Sequence, residues 1–337
     1  MKFATDRQLD LILVGRAGID FNTSQLNRRF ADVASFTKSV GGSPANIAQG
    51  VARLGLKTGF IGKVSADGMG DYIVETFQKA GILTDGIVRD TSSAPNCLAI
   101  TEVLAPTQSS SFFYRERTAD LQLAPEEVSE ALIQSAAAVL ISGTALSQSP
   151  SREAVFTIID LAHRHGTKVL LDIDFRPFGW QSPIETALYY SMVAEKCDLI
   201  LGNREEFNAV EYVSMPDNRD NAKSAAAWLA KGVEIVIIKA GADGSCAYTK
   251  DGDEISLGVI QVPFKKTFGS GDAYASGLLY GLFKGQPLDE AMKLGTACAA
   301  IVLAGPVSCA DGLPTVQQAT DFLVANPLSA VFRKAGA

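Results

Sequence analysis

Lys266-Thr267-Phe268-Gly269-Ser270-Gly271-Asp272-Ala273-Tyr274 joins a small-residue turn to an apolar run and puts one carboxylate at the joint. Gly269, Ser270 and Gly271 lack bulk, so backbone N–H groups there can crowd around an anion. A helix that starts near Asp272 aims the positive end of its dipole the same way. Asp272 then stands where it can take a proton from a hydroxyl attacking a bound phosphate. The same pattern is also an ordinary turn and N-cap, and taken alone it does not choose between the two.

A second glycine turn weighs on that choice. Gly41-Gly42-Ser43-Pro44-Ala45-Asn46-Ile47-Ala48-Gln49-Gly50-Val51-Ala52-Arg53-Leu54-Gly55 reads as a tight turn feeding an amphipathic helix, with Ser43 as N-cap, Pro44 at the first helical position and Gly55 just past the end. A well-made helix start leaves Gly41-Gly42 followed by Asn46 unexplained. Those residues expose backbone amides and one side-chain amide where a polyhydroxylated ligand can lie. Outward from these turns, Leu9 to Val14, Val139 to Ser142, Lys168 to Ile173, Leu199 to Leu201 and Glu234 to Lys239 read as buried parallel strands. Ser151 to His165, Pro183 to Lys196 and Asn218 to Lys231 have apolar spacings of three and four and read as helices between them. The alternation specifies an α/β fold of right-handed βαβ units with helices on both faces of one sheet. Phe21 to Val40 and Gly86 to Arg115 break the rhythm; Cys97 to Val103 and Ser111 to Tyr114 look like antiparallel strands of a small β lid.

Together the two glycine signatures resemble those of the ribokinase-like (PfkB) carbohydrate kinases, a pairing far more specific than either half. The similarity extends through Gly15-Arg16-Ala17-Gly18-Ile19-Asp20, Tyr114-Arg115 with Ala119-Asp120, Ser149-Pro150-Ser151-Arg152, Asp172-Ile173-Asp174-Phe175-Arg176-Pro177 and Asn203-Arg204-Glu205-Glu206-Phe207, from about Leu9 to Pro314. These stretches look like the branch of the family that phosphorylates 5-dehydro-2-deoxy-D-gluconate to its 6-phosphate in myo-inositol breakdown. Kinases of 2-dehydro-3-deoxygluconate or of fructose are the neighbouring alternatives, and a sugar-binding regulator that lost turnover is a further one. The resemblance implies a three-layer α/β/α sandwich with a mainly parallel central sheet. One kinase domain over residues 1–330 would carry a lid from about 16–40 and 86–115, with pairing of two copies through that lid.

The resemblance also assigns roles. ATP and Mg²⁺ are the expected cofactors. Asp272 is the base, Gly269, Ser270 and Gly271 the anion hole, and Arg176 a phosphate clamp, since a guanidinium holds phosphate oxygens through two parallel donors. Asn203 and Glu206 form an Asn-x-x-Glu pattern that orders Mg²⁺ through water, and the same spacing is a helix capping box. Lys239, Gly241 and Gly244 belong to a turn under the nucleotide. Ala297 to Val302 offers small residues for an adenine wall, or for a helix packed through alanine. Arg16 and Arg115 would face the acceptor; two guanidiniums over a sugar site imply a carboxylate, because unpaired burial is costly. Asp20, Gly41, Gly42, Asn46 and Asp174 would hold its hydroxyl or keto groups. One position departs from the wider family: ribokinase has Asp six residues before its catalytic Asp, helping to hold a monovalent cation, and this chain has Lys266. An ammonium there repels such an ion and can replace it.

Composition narrows the partners. The chain has 337 residues, enough for one large α/β domain with an appendage or for two domains, and a formal net charge of −7. With a pI near 5.0 it has no basic field for nucleic acid or anionic lipid, which points to small molecules as partners; the resemblance makes these a sugar acid and ATP. Five scattered cysteines without a Cys-x-x-Cys spacing point to reduced thiols, no zinc and a cytoplasmic setting. No apolar run reaches membrane-spanning length. Gly15-Arg16-Ala17-Gly18 is not Gly-x-Gly-x-x-Gly, which argues against a dinucleotide dehydrogenase.

Overall fold

The computed structural model describes residues 1–264, 266, 268–305 and 308–334. In chain order its strands are β1 (Leu9–Val14), β2 (Gly18–Thr23), β3 (Phe36–Gly41), β4 (Thr58–Val64), β5 (Leu83–Arg89), β6 (Leu98–Ala105), β7 (Gln108–Tyr114), β8 (Ala136–Ser142), β9 (Lys168–Asp172), β10 (Leu199–Asn203), β11 (Ile235–Lys239), β12 (Ser245–Thr249), β13 (Asp253–Leu257) and β14 (Val331–Lys334). The chain divides into two compact units, one formed by Met1–Gly15, Ala124–Val259 and Leu328–Ala337, the other by Arg16–Leu123 and Ile260–Pro327.

The first unit is built on sheet order β14-β13-β12-β11-β10-β9-β8-β1. Strands β1, β8, β9, β10 and β11 pair in parallel, and β12, β13 and β14 continue antiparallel. The parallel strands are the expected apolar runs: Ala136–Ser142 is buried at every residue, as is Val169 to Asp172. Uninterrupted burial is what a strand covered on both faces requires. Helices Ser151–His165, Pro183–Ala194 and Asn221–Leu229 fall where the apolar spacing puts them. The hairpin of β12 and β13 was not foreseen, because Ser245–Thr249 is too short and mixed to stand out.

The second unit holds the smaller sheet, in order β3-β2-β6-β7, with β2 and β6 parallel and the other pairs antiparallel. Residues 86–89, expected in that sheet, run instead in β5 beside β4. The unit's core joins Leu54, Ala273, Leu294, Cys298, Val302 and Leu313. Ala297, Cys298 and Val302 are wholly buried there, on helix Leu288–Ala304, while Ala299 and Ile301 between them are half-buried. Helices Ser43–Leu54 and Ser270–Phe283 approach closely at Gly50, where an added Cβ would lie 2.1 Å from Ser276 Oγ. No helix of the described residues is long and apolar enough to cross a membrane.

Just beyond β7, Arg115 makes an internal ion pair and is not left facing a ligand. Its Nη2 and Nε both lie 2.7 Å from Asp120 Oδ2, with side-chain exposures of 5% and 1%. Burial pushes the Asp120 carboxyl up, but Arg115, the Thr118 hydroxyl and Arg16 outweigh it and hold it below the usual carboxylate range. Removing one partner of such a pair strands a buried charge. Arg115→Ala should lower unfolding free energy by about 3–5 kcal/mol in urea titration. A loss below about 1 kcal/mol, the worth of an exposed pair, would show that water reaches Asp120.

Candidate active site

Two groups of side chains carry the expected chemistry, one in each unit. In the second, helix Ser270–Phe283 starts after Gly269, which holds the left-handed conformation at φ 81°. A Cβ on Gly269 would also lie 2.8 Å from that of Cys309. The first intrahelical bond runs from Ala273 N–H to Gly269 O, 3.1 Å, so the N–H groups of Ser270, Gly271 and Asp272 precede it at the positive end of the helix. Asp272, third in the helix, accepts from Ser43 Oγ at 2.9 Å on Oδ1 and from Asn46 Nδ2 at 2.7 Å on Oδ2.

Those donors stand on the other glycine turn. Gly42, not Ser43, is the N-cap of helix Ser43–Leu54, at φ 102°, a backbone setting that suits glycine. This corrects the expected cap and frees the Ser43 hydroxyl for a tertiary contact. Gly41 has a different reason to lack a side chain, because a Cβ there would fall 2.0 Å from the Asp20 carboxylate. Burial pushes the Asp20 carboxyl up to about 6, with Arg16 opposing and Asp272 adding to the rise. Arg16 is buried, its guanidinium 5.8 Å from the centre of the Phe113 ring. Arg16, Asp20, Gly41, Gly42, Asn46 and Asp272 thus share one neighbourhood, whereas the charge of Arg115 is met by Asp120.

Lys266 belongs to the same neighbourhood. Its exposure is 0%, and its Nζ sits 5.0 Å from the centre of the Phe268 ring. Burial pushes its pKa down, and Cys309, Asp272 and Asp311 act against that. Of the motif that opened the sequence reading, Thr267 lies outside the described residues.

In the first unit Asp174, expected to hold the acceptor, and Arg176, expected to clamp a phosphate, lie with the expected nucleotide residues at or just beyond the carboxyl ends of parallel strands, where open α/β sheets bind ligands. Asp174, two residues past β9, is buried at φ 39° and accepts from Ser142 Oγ at 2.9 Å and from Thr144 Oγ1 at 3.4 Å. Arg176 Nη2 pairs with Asp174 Oδ1 at 2.8 Å. Lys239, last in β11, holds its Nζ 3.7 Å from Asp172 Oδ1, a partner that the sequence reading did not assign. Gly241 and Gly244 follow it in the turn before β12, both at positive φ. Asn203 and Glu206 form a reciprocal capping box: Glu206 N–H donates to Asn203 Oδ1 at 2.9 Å, and Asn203 N–H to Glu206 Oε2 at 2.7 Å. Glu206 keeps a second carboxylate oxygen beyond that bond. Among the described residues no cluster of three or more acids, histidines or cysteines could cage a metal. That donor set fits Mg²⁺, which keeps most of its waters and relies on nucleotide phosphates and one or two carboxylates.

Residues 8–315 match the pfkB family of carbohydrate kinases. The 5-dehydro-2-deoxygluconokinase of Geobacillus thermodenitrificans is 47% identical over 323 residues, which span 96% of this chain and 95% of that protein. The enzyme of that name from Bacillus thuringiensis is 47% identical over 321 residues, 95% of this chain and 96% of its own. Among solved structures, a putative ribokinase II of E. coli in complex with ATP and Mg²⁺ matches 94% of this chain and 100% of its own with a TM-score of 0.85 at 19% identity. The aminoimidazole riboside kinase of Salmonella enterica, complexed with that riboside and an ATP analogue, matches 93% of this chain and 100% of its own with a TM-score of 0.77 at 24% identity. The fold is therefore the ribokinase-like α/β sandwich with its small β lid. Its helix-borne carboxylate behind a left-handed glycine is the feature that a sugar phosphotransferase needs, and the chain belongs to the pfkB family of carbohydrate kinases.

Proposed function

We propose that this carbohydrate kinase uses ATP to phosphorylate a sugar acid on its primary hydroxyl, with 5-dehydro-2-deoxy-D-gluconate as acceptor and its 6-phosphate as product. The observation that carries the reading is near-full-length similarity, at 47% identity, to kinases of that name. ATP as donor and Mg²⁺ as its ion are supported by the relatives solved with ATP and Mg²⁺ or with an ATP analogue. All five cysteines are free, which suits a reducing cytoplasm.

Asp272 takes the proton of the acceptor hydroxyl as that oxygen bonds to the γ-phosphorus, and ADP leaves with the electron pair of the broken bridge bond. The N–H groups at the start of helix Ser270–Phe283 stabilise the charge that spreads over the transferred oxygens. Arg16 holds the acceptor's carboxylate, while Asp20, Asn46 and the Gly41-Gly42 backbone hold its other oxygens. Arg176, Lys239, Asn203, Gly241, Gly244 and Glu206 serve ATP. Mg²⁺, held through water by Glu206, supplies charge neutralisation on the phosphates. Asp174 helps through Arg176, which it holds at 2.8 Å.

Two copies associate through the smaller sheet. One face of that sheet carries Phe30, Phe36 and Phe112 with ring centroids 5.7 and 5.5 Å apart, and Tyr114 beside them is 60% exposed. Such clustered aromatics suit an interface core. Sedimentation equilibrium should give twice 35.7 kDa, and Phe112→Asp with Tyr114→Asp should give the monomer mass. A monomeric parent would remove the lid dimer.

Asp272→Asn keeps size and hydrogen bonding but loses basicity, so kcat should fall by at least the ~10²–10⁴ typical of a general base while ATP still binds. Turnover within a few-fold of the parent in a coupled ADP-release assay would sink the assignment. Arg16→Ala should raise KM for the sugar acid more than for a neutral analogue, because it deletes a charge-assisted contact worth roughly 1.5–3 kcal/mol. Equal losses on both substrates would make Arg16 structural and remove the argument for a carboxylate.

A further inference from the structure

The cap that Ser43 does not make is informative. With Gly42 as N-cap, the Ser43 hydroxyl reaches across 229 residues of sequence to Asp272 Oδ1, and one turn later on the same face Asn46 Nδ2 reaches Oδ2. Each oxygen of the proposed catalytic carboxylate therefore accepts a donor from the start of the same helix. The backbone of Asp272 is tied as well, since its carbonyl accepts from Ser276 Oγ at 2.8 Å, at the crossing where Gly50 leaves room for that hydroxyl.

A carboxylate on the first turn of a helix can otherwise rotate about two torsions, and a base must present a lone pair within about 2.6–3.2 Å of the proton it takes. Two donors of different kind, one on each oxygen, leave a single setting. They also stabilise the ionised form and so hold down its affinity for a proton. The other groups facing Asp272 set the balance: Asp20 on β2 adds negative charge, with Arg16 beside it, while Lys266 adds positive charge. The Cys309 thiol, whose pKa burial raises, stays neutral there.

We infer that Ser43 is a positioning residue which, with Asn46, fixes the orientation and the basicity of the Asp272 carboxylate. This rests on the reading of Asp272 as the general base. A hydroxyl is suited to the task because it donates to Oδ1 without adding charge to a site that must accept a phosphate.

The test is a kinetic comparison of Ser43→Ala and Ser43→Thr in the full-length enzyme, with ATP and the sugar acid each varied. Ser43→Ala should lower kcat about tenfold or more, as small misplacements of reacting groups do, with KM for ATP within about twofold. The acidic limb of its kcat–pH profile should move to higher pH, because the ionised carboxylate has lost a donor. Ser43→Thr restores the hydroxyl and should recover most of kcat and the parental limb. A folded Ser43→Ala with parental kcat and limb would overturn the inference. So would a rise in KM for the sugar acid with an unmoved limb, since that makes Ser43 a substrate contact. Should the alanine variant not fold, Ser43→Cys, a weaker donor of similar size, must show the same shift in smaller measure, and a parental profile there is equally fatal. Asp272→Asn separates the two levels. If it keeps parental turnover, the base assignment falls and the inference with it; if it is dead while Ser43→Ala is parental, positioning alone fails.

Discussion

The proposed reaction places a carboxylate base at a helix N-terminus that also receives a phosphate, and the second unit supplies the groups that answer that conflict. Asp272 brings a negative charge to the place where its helix offers positive potential, and Asp20 adds a second carboxyl whose pKa is about 6, so that it too is mostly ionised at pH 7. Two like charges and an incoming phosphate repel one another unless positive groups answer them. The answer comes in graded form: neutral donors from Ser43 and Asn46 on the two Asp272 oxygens, Arg16 beside Asp20, and Lys266 with no exposure at all. A fully buried ammonium is costly where no anion needs it. Its burial makes sense here, since Asp272 and Asp311 both act on it. Burial nonetheless prevails and holds its pKa below the usual lysine range.

The sheet was legible for the reason that its strands are buried on both faces. Val-, Ile- and Leu-rich runs such as Val169 to Leu171 and Ile235 to Ile238 admit no other reading once helices of matching length lie between them. The two glycine turns were legible because phosphate-type sites demand bulk-free backbone at fixed distances from a helix start. What escaped was tertiary. The N-cap rule favours Ser43, and nothing in the sequence near it shows that Asp272, 229 residues away, would claim its hydroxyl. Local preference lost there to a half-buried carboxylate with a stronger need for a donor.

The two arginines of the expected acceptor site show how far charge arguments reach from sequence. The premise that buried guanidiniums need anions holds for both, but a ligand is only one source of anion. For Arg115 the source is Asp120, five residues on, in a motif visible in the sequence as Tyr114-Arg115 with Ala119-Asp120. A short-range Arg-to-Asp spacing in a loop after a strand was the available signal. Arg16 differs, since it lies at the start of its unit beside Asp20 and the Phe113 ring, within the neighbourhood of the base. In the proposed reading, acceptor charge recognition is therefore assigned to Arg16.

The first-unit residues proposed to serve ATP are held by pairs of another kind. Arg176 lies on Asp174, and Lys239 stands 3.7 Å from Asp172, with side-chain exposures of 36% and 18%. Both carboxylates are buried, so moving either cation away would take an ion-pair partner from a buried charge. Asp174 itself cannot turn. It is buried at φ 39°, an uncommon setting for a residue with a side chain, and Ser142 and Thr144 hold its other oxygen. Backbone strain of this type persists only where the surroundings over-determine it, and it gathers at functional sites. The carboxylate is thus a fixed anchor that sets where Arg176 stands.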